Sequence, residues 1–253
     1  MKTAGIAKVL ILTVTMVLGA VAGAAEKADP NSFKWDVFKT DIGELKITFI
    51  GHGTLMLECG GKVIHIDPWT KLADYSKMPK ADLILITHEH GDHLDVKAID
   101  AIRKETTQIV ESLSCEGKIA GGVVMKNGEE REVAGLKIEA VAAYNIVNQR
   151  SDGGPYHPKG EGNGYVISFE KTRVYAAGDT ENTPEMKALK NIDIAFLPMS
   201  LPHTMTPEMV ADAAKAFSPK ILYPYHYSKT NTKALVELLK YAKDIEVRIR
   251  KME

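Results

Sequence analysis

Apolar residues in this chain come in short runs broken by glycine, proline and acidic turns. Leu45-Lys46-Ile47-Thr48-Phe49 alternates apolar and polar side chains, and Gly51-His52-Gly53 then offers a reversal. Thr54-Leu55-Met56-Leu57-Glu58 returns the chain, and Lys62-Val63-Ile64-His65-Ile66-Asp67 forms a third strand that Pro68 closes. Asp82-Leu83-Ile84-Leu85-Ile86-Thr87 is a continuous apolar run, as expected of a strand buried on both faces. Asp95 caps a helix with Ile99 and Ile102 on one face.

Further short strands are predicted over 107–110, 122–125, 130–133 and 136–142. A Gly- and Pro-rich loop follows from about Asn145 to Asn163. Residues 164–169 and 172–177 read as a hairpin, and 192–197 as another buried strand. Thr183-Pro184-Glu185-Met186 and Thr206-Pro207-Glu208-Met209 are two helix starts of one design, with a capping threonine, proline in the first turn and glutamate against the dipole. A strand at 221–223, a helix marked by Leu235, Leu238, Leu239 and Ala242, and a strand at 245–249 complete the pattern. Residues 26 to 40 read as a polar leader. Strands then helix, followed by strands then helices, point to two layered β/α halves rather than a doubly wound sheet.

At 253 residues, with 45% hydrophobic and 26% charged residues, the chain can bury an ordinary core without disulfides. A formal net charge of -1 and scattered Lys and Arg give no support to a nucleic-acid partner. The two cysteines, Cys59 and Cys115, read as buried small hydrophobes, although an oxidising compartment would permit a bridge. Residues 1–25 have the layout of a secretory signal peptide: Lys2 and Lys8, the apolar stretch Val9 to Leu18, then Ala22-Gly23-Ala24 as a cleavage site. The stretch is short for a bilayer span of ~20 residues. Cleavage would leave residues 26–253 as a secreted or periplasmic domain without stable membrane insertion.

Three of the eight histidines fall within six residues, in His88-Glu89-His90-Gly91-Asp92-His93, directly after the buried strand. Imidazole and carboxylate are the usual ligands of zinc and neighbouring transition metals. Side chains two apart on an extended segment point the same way, so His88 and His90 can reach one ion. Gly91 lets the chain bend so that Asp92 and His93 can face a second. No G-x-S-x-G elbow, P-loop or dinucleotide fingerprint is present.

This HxHxDH loop, with Asp67-Pro68, Gly178-Asp179-Thr180 and His226 in Tyr223-Pro224-Tyr225-His226-Tyr227, resembles in order the motifs of the metallo-β-lactamase superfamily. Gly51-His52-Gly53-Thr54 is similar to the start of its metal-dependent hydrolase branch, which includes ascorbate-6-phosphate lactonase-like and N-acyl-phosphatidylethanolamine phospholipase-like proteins. The resemblance covers about residues 42 to 228 and implies an α/β fold, the four-layer αββα sandwich. It implies one metal site of His88, His90 and His157 and a second of Asp92, His93 and His226, with Asp179 bridging. One departure stands out. Where many members carry a histidine after the strand before the long loop, this chain reads Ala142-Ala143-Tyr144-Asn145. His157 from the loop is the expected replacement, and Asn145 is the alternative, as a weak ligand or a bond to a bound molecule.

The implied cofactor is one or two Zn2+ ions, with Mn2+ or Fe2+ as alternatives. The implied activity is hydrolysis, in which hydroxide held by the ions attacks an ester, lactone or phosphodiester bond of a small-molecule or lipid substrate. Asp92 and Asp179 are the catalytic carboxylates. Asp67 and His52 are expected to orient the ligands, His65 to be structural, and His203 either to line the pocket or to be an ordinary loop histidine. The same fold also carries metal-dependent oxidoreductases, and a non-catalytic metal-binding protein is a third class. His90, Asp92 and Asp179 favour hydrolysis over both.

Overall fold

A computed structural model describes Met1 and residues 31–253; the rest of the expected signal peptide, with its expected cleavage site, lies outside the described residues. The first half of the chain comprises β1 (Lys34–Thr40), β2 (Gly43–Gly51), β3 (Thr54–Cys59), β4 (Lys62–Ile66), β5 (Leu83–Ile86), α1 (Val96–Ile102), β6 (Gln108–Glu111) and β7 (Gly122–Val124). Its strands form one sheet in chain order, antiparallel from β1 to β4 and parallel from β4 to β7. The second half comprises β8 (Glu130–Val133), β9 (Leu136–Ala143), β10 (Gly162–Phe169), β11 (Thr172–Ala176), α2 (Pro184–Lys187), β12 (Ile194–Pro198), α3 (Pro207–Phe217), β13 (Ile221–Tyr225), α4 (Thr232–Leu239) and β14 (Glu246–Val247). Its sheet repeats the same scheme, antiparallel from β8 to β11 and parallel from β11 to β14. The two layered halves expected from the pattern are thus two copies of one topology.

Strand alternation decides which side chains meet. Leu83 and Leu85 of β5 point into the core between the sheets, together with Ile47, Phe49 and Leu55. Ile84 and Ile86 point outward and are covered by Ile99 and Ile102 of α1. On the far side, α3 and α4 bury Val210, Phe217, Leu235 and Leu239, and the Phe217 ring meets Tyr175 of β11 edge to face at 6.2 Å. The result is the αββα sandwich. Rings of Phe49, Phe196 and Tyr223 tie the sheets together, with Phe49 at 5.1 Å from Tyr223 and the other two stacked at 4.9 Å. The first three helices begin as read from sequence: Asp95 accepts from Lys97 and Ala98 N–H, and Thr183 and Thr206 accept from Met186 and Met209 N–H. Cys59 and Cys115 are buried and free.

The polar leader is corrected in part, because residues 34–40 form β1. β1 is a half-buried edge strand: its apolar Trp35 and Val37 face outward and are exposed, and Phe38 is the apolar side chain it packs on the core, too little to read as a stripe. Polar contacts also hold β1: Asp36 receives a forked pair of bonds from Arg250 Nη2, at 2.6 and 2.8 Å, and a bond from the Tyr223 hydroxyl.

The loops after β4, β5, β11 and β13 all emerge at one end of the sandwich, where three bonds join the sheets. Asn163 N–H donates to Thr87 O at 2.9 Å, the Tyr165 hydroxyl to Ile86 O at 2.9 Å, and His226 N–H to His52 O at 3.0 Å. We expect Tyr165→Phe to cost about 1 kcal/mol of stability, the net worth of one such bond. Urea unfolding checks this through a lower midpoint at unchanged slope.

Candidate metal centre

Sharp turns aim each site residue. His52, Asp67 and His226 adopt the left-handed region, with φ of 51°, 46° and 45°. This conformation is unfavourable for side chains bearing Cβ, and it persists where the surroundings impose it. Gly178, at φ 65°, turns β11 into Asp179; a Cβ there would lie 2.8 Å from Asn163 O and 2.9 Å from Thr87 Cβ. Gly53 lets His93 approach, since a Cβ would stand 2.8 Å from the imidazole Cε1.

The seven expected site residues converge. His88, His90 and His157 form one group of donor atoms all within 4.8 Å of one another, and Asp92, His93 and His226 form a second that also includes His52. Asp179 lies between them. Its Oδ2 is 3.5 Å from His157 Nε2 and 3.4 Å from His226 Nε2, and its Oδ1 is 3.5 Å from His93 Nε2. Asp92 Oδ2 is 3.7 Å from His226 Nε2 and 3.9 Å from His93 Nε2. Two donors each about 2.0–2.1 Å from a tetrahedral zinc lie roughly 3.4 Å apart, so these spacings suit a shared ion.

The opposite ring nitrogens of His88, His93 and His157 are held, while Nδ1 of His226 is buried without a partner. His93 Nδ1–H donates to Asp67 Oδ2 at 2.7 Å. Asp67 also receives Thr87 N–H at 2.8 Å and the Thr87 hydroxyl at 2.6 Å, which leaves a Thr87 lone pair for His88 Nδ1–H at 3.0 Å. His157 Nδ1–H donates to Asn145 Oδ1 at 2.7 Å. These bonds turn each Nε2 toward the centre: bare in His157, facing His90 Nδ1 at 3.0 Å in His88, and carrying a proton that a cation can displace in His93. His93 Nε2, His157 Nε2, His226 Nε2 and Asp179 Oδ1 are buried with no hydrogen-bond partner. Buried polar atoms are normally paired, and four orphans converging in one place fit a cation.

Charge follows burial. Burial pushes the His88 imidazole well below its usual range and His157 down to about 4, so both stand as neutral ligands. Burial also works against His93, but the Asp179 and Asp67 carboxylates override it and lift the ring to about 9. For Asp92, burial opposes ionisation, and the facing imidazoles of His226 and His52 hold its carboxyl well below the ordinary range. Asp179 is likewise held low, against its burial, by His226 and His93.

The remaining candidates divide. Asp67 orients His93, as expected. His52 bonds Asp92 Oδ2 at 3.1 Å and stacks on His226 at 3.7 Å between centroids, so it belongs to the second group as well as supporting it. His65 is structural: fully buried, it bonds Pro79 O at 3.1 Å, and burial pushes it down to about 4. His203 is exposed and packs edge to face on Tyr156 at 4.8 Å. Asn145 takes the orienting role toward His157. The Asn145 bond, Thr87 and the cleft residue Arg150 were not legible as site residues from spacing alone. A cleft of about 300 Å³ opens beside His88, His90 and His157, walled by Arg150, Tyr156 and Ser114.

A family model described as beta-lactamase superfamily domain matches residues 46–226. The chain belongs to the beta-lactamase superfamily. Within it stand the UPF0173 metal-dependent hydrolases, of which the Pelotomaculum thermopropionicum protein is 33% identical over 205 residues, 76% of this chain and 87% of the relative. A crystal structure from Parabacteroides distasonis aligns at 52% identity and a TM-score of 0.83, covering 87% of this chain and all of that one. Igni18, a metallo hydrolase from Ignicoccus hospitalis, aligns at 26% identity and 0.68, covering 83% of this chain and 96% of its own. This member of the superfamily is a metal-dependent hydrolase with a His/Asp cluster able to bind metal.

A cation at His93 Nε2 displaces the proton held there at any pH below about 9. We therefore expect Zn2+ affinity of the stripped protein to rise by about tenfold per pH unit between pH 7 and 9 and then level, with about one proton released per ion taken up at this half of the centre. Calorimetric titrations in buffers of different ionisation enthalpy check it. A pH-independent affinity would contradict it.

Proposed function

We propose that this hydrolase cleaves an ester, lactone or phosphodiester bond of a small-molecule or lipid substrate with two divalent ions, zinc first among them. The observation that carries the reading is Asp179 standing between two complete groups of donors, one of which opens on the cleft. A donor set of neutral imidazoles and carboxylates, without thiolate, suits Zn2+, with Mn2+ and Fe2+ as the competing choices. When bound, such a pair lowers the pKa of water from about 15.7 towards ~7 and polarises the oxygen of the scissile group.

The chain's own residues do the rest. Asp92 stays ionised and keeps 34% of its side chain exposed, so it can accept a hydrogen bond from an incoming water and orient it. His52, bonded to the same carboxylate, limits its rotation. Asp179, 5% exposed, is an acceptor shared by both groups. Arg150 and Tyr156 form the cleft wall against which the substrate is positioned. The Lys-led, apolar start of the sequence supports an exported, periplasmic or secreted enzyme.

Chelator is expected to abolish hydrolysis across a panel of lactones, esters and phosphodiesters, and Zn2+ or Mn2+ to restore it. His90→Ala is expected to lower activity by roughly 100-fold or more, above the effect typical of losing an orienting partner. Full metal content and activity in that variant would refute the assignment. Purification with bound iron, visible absorbance and oxygen consumption would instead indicate redox chemistry.

A further inference from the structure

Glu181 follows Gly178-Asp179-Thr180 directly, is completely buried, and has no place in the chemistry above. A buried carboxylate is tolerated only when its lone pairs are met. Here they are. Oε2 accepts from Ile146 N–H and Val147 N–H, both at 2.8 Å, and Oε1 from Asn148 N–H at 2.7 Å and Asn145 Nδ2 at 3.1 Å. Three successive backbone N–H groups thus close on one side chain, at the point where the chain leaves β9 and enters the long loop.

Asn145 carries the constraint onward. Its second Nδ2 hydrogen donates to His203 O at 2.9 Å. With both amide hydrogens committed, Oδ1 must face the other way. There it accepts from His157 N–H at 2.8 Å and His157 Nδ1–H at 2.7 Å. An amide oxygen can only accept, so the His157 proton sits on Nδ1 and Nε2 is bare, unpartnered and 3.5 Å from Asp179 Oδ2. A histidine on a strand end would be aimed by the sheet. This one comes from a loop and must be aimed from outside the sheet.

We infer that Glu181 is a positioning residue for the His88–His90–His157 half of the centre. Through Asn145 it sets the tautomer and ring orientation of His157, and its backbone bonds fold the start of the loop that brings Arg150 and Tyr156 to the cleft. The Asp92–His93–His226 half is supported separately, by Asp67 and His52. The inference rests on the two-ion reading, and it makes a selective claim: losing Glu181 weakens one half-site and spares the other.

The test is Zn2+ titration of the chelator-stripped full chain against a competing chromophoric chelator, for wild type, Glu181→Gln and Asn145→Ala, with 15N spectra of the histidine rings. Asn145→Ala keeps Glu181 and its backbone bonds, so it carries the test where Glu181→Gln does not fold. Wild type is expected to bind two ions. Each variant is expected to bind one ion as before and the other about tenfold to hundredfold more weakly, the range for loss of an orienting partner. The metal-free His157 ring should move from the Nδ1–H tautomer to a mixture. Wild-type affinity at both ions with an unchanged ring spectrum would overturn the inference, as would an equal loss at both ions with a lowered melting temperature, the mark of a purely structural role. Uptake of a single ion by wild type would refute the two-ion reading instead, and the ring spectra would still decide the tautomer.

Discussion

A buried nitrogen or carboxylate oxygen without a partner costs free energy, and this protein gathers four of them, Nε2 of His93, His157 and His226 and Oδ1 of Asp179, at the seam between its sheets. Much of the surrounding structure turns those atoms toward one another. Asp67 occupies the other nitrogen of His93, Thr87 that of His88, and Asn145 that of His157. Each partner removes the alternative tautomer in which the ring would satisfy itself elsewhere. Divalent cations then become the compensation for which the arrangement is shaped, and metal dependence follows from the hydrogen bonding.

The fold explains why such a site can be built here. Two sheets of the same topology put the ends of β4, β5, β11 and β13 side by side, so ligands distant in sequence need no long excursions. A core of interlocked aliphatic and aromatic side chains gives those strand ends little freedom. The left-handed turns at His52, Asp67 and His226 store strain that packing sustains. His157, which comes from the long loop between β9 and β10 and not from a turn directly after a strand, is also the ligand whose aim depends on a relay of polar groups.

How much of this was legible in the sequence depends on range. The motif His88–His93 was readable because its ligands are neighbours on one strand end. Asp179 and His226 were readable as ordered motifs, and the helix caps as local chemistry. The strand β1 was not, because Phe38 is the apolar side chain it turns to the core and a long-range pair, Asp36 with Arg250, helps to hold it. Glu181 was not, because three of its partners are backbone N–H groups 33 to 35 residues away, which no side-chain pattern records. The structure brings His157 beside His88 and His90, but the bond that orients it runs to Asn145, a residue left open between ligand and support by spacing alone. Dual use of His52, as support for Asp92 and as part of its group, likewise required coordinates.

In the proposed two-ion reading, the unpartnered donors mark two ion positions sharing Asp179. An anomalous-scattering crystal structure of protein purified without added metal, collected on both sides of the zinc and iron edges, tests it most directly. The account requires two peaks, one among His88, His90 and His157 and one among Asp92, His93 and His226, with Asp179 touching both. A single peak, or peaks away from these residues, would contradict it.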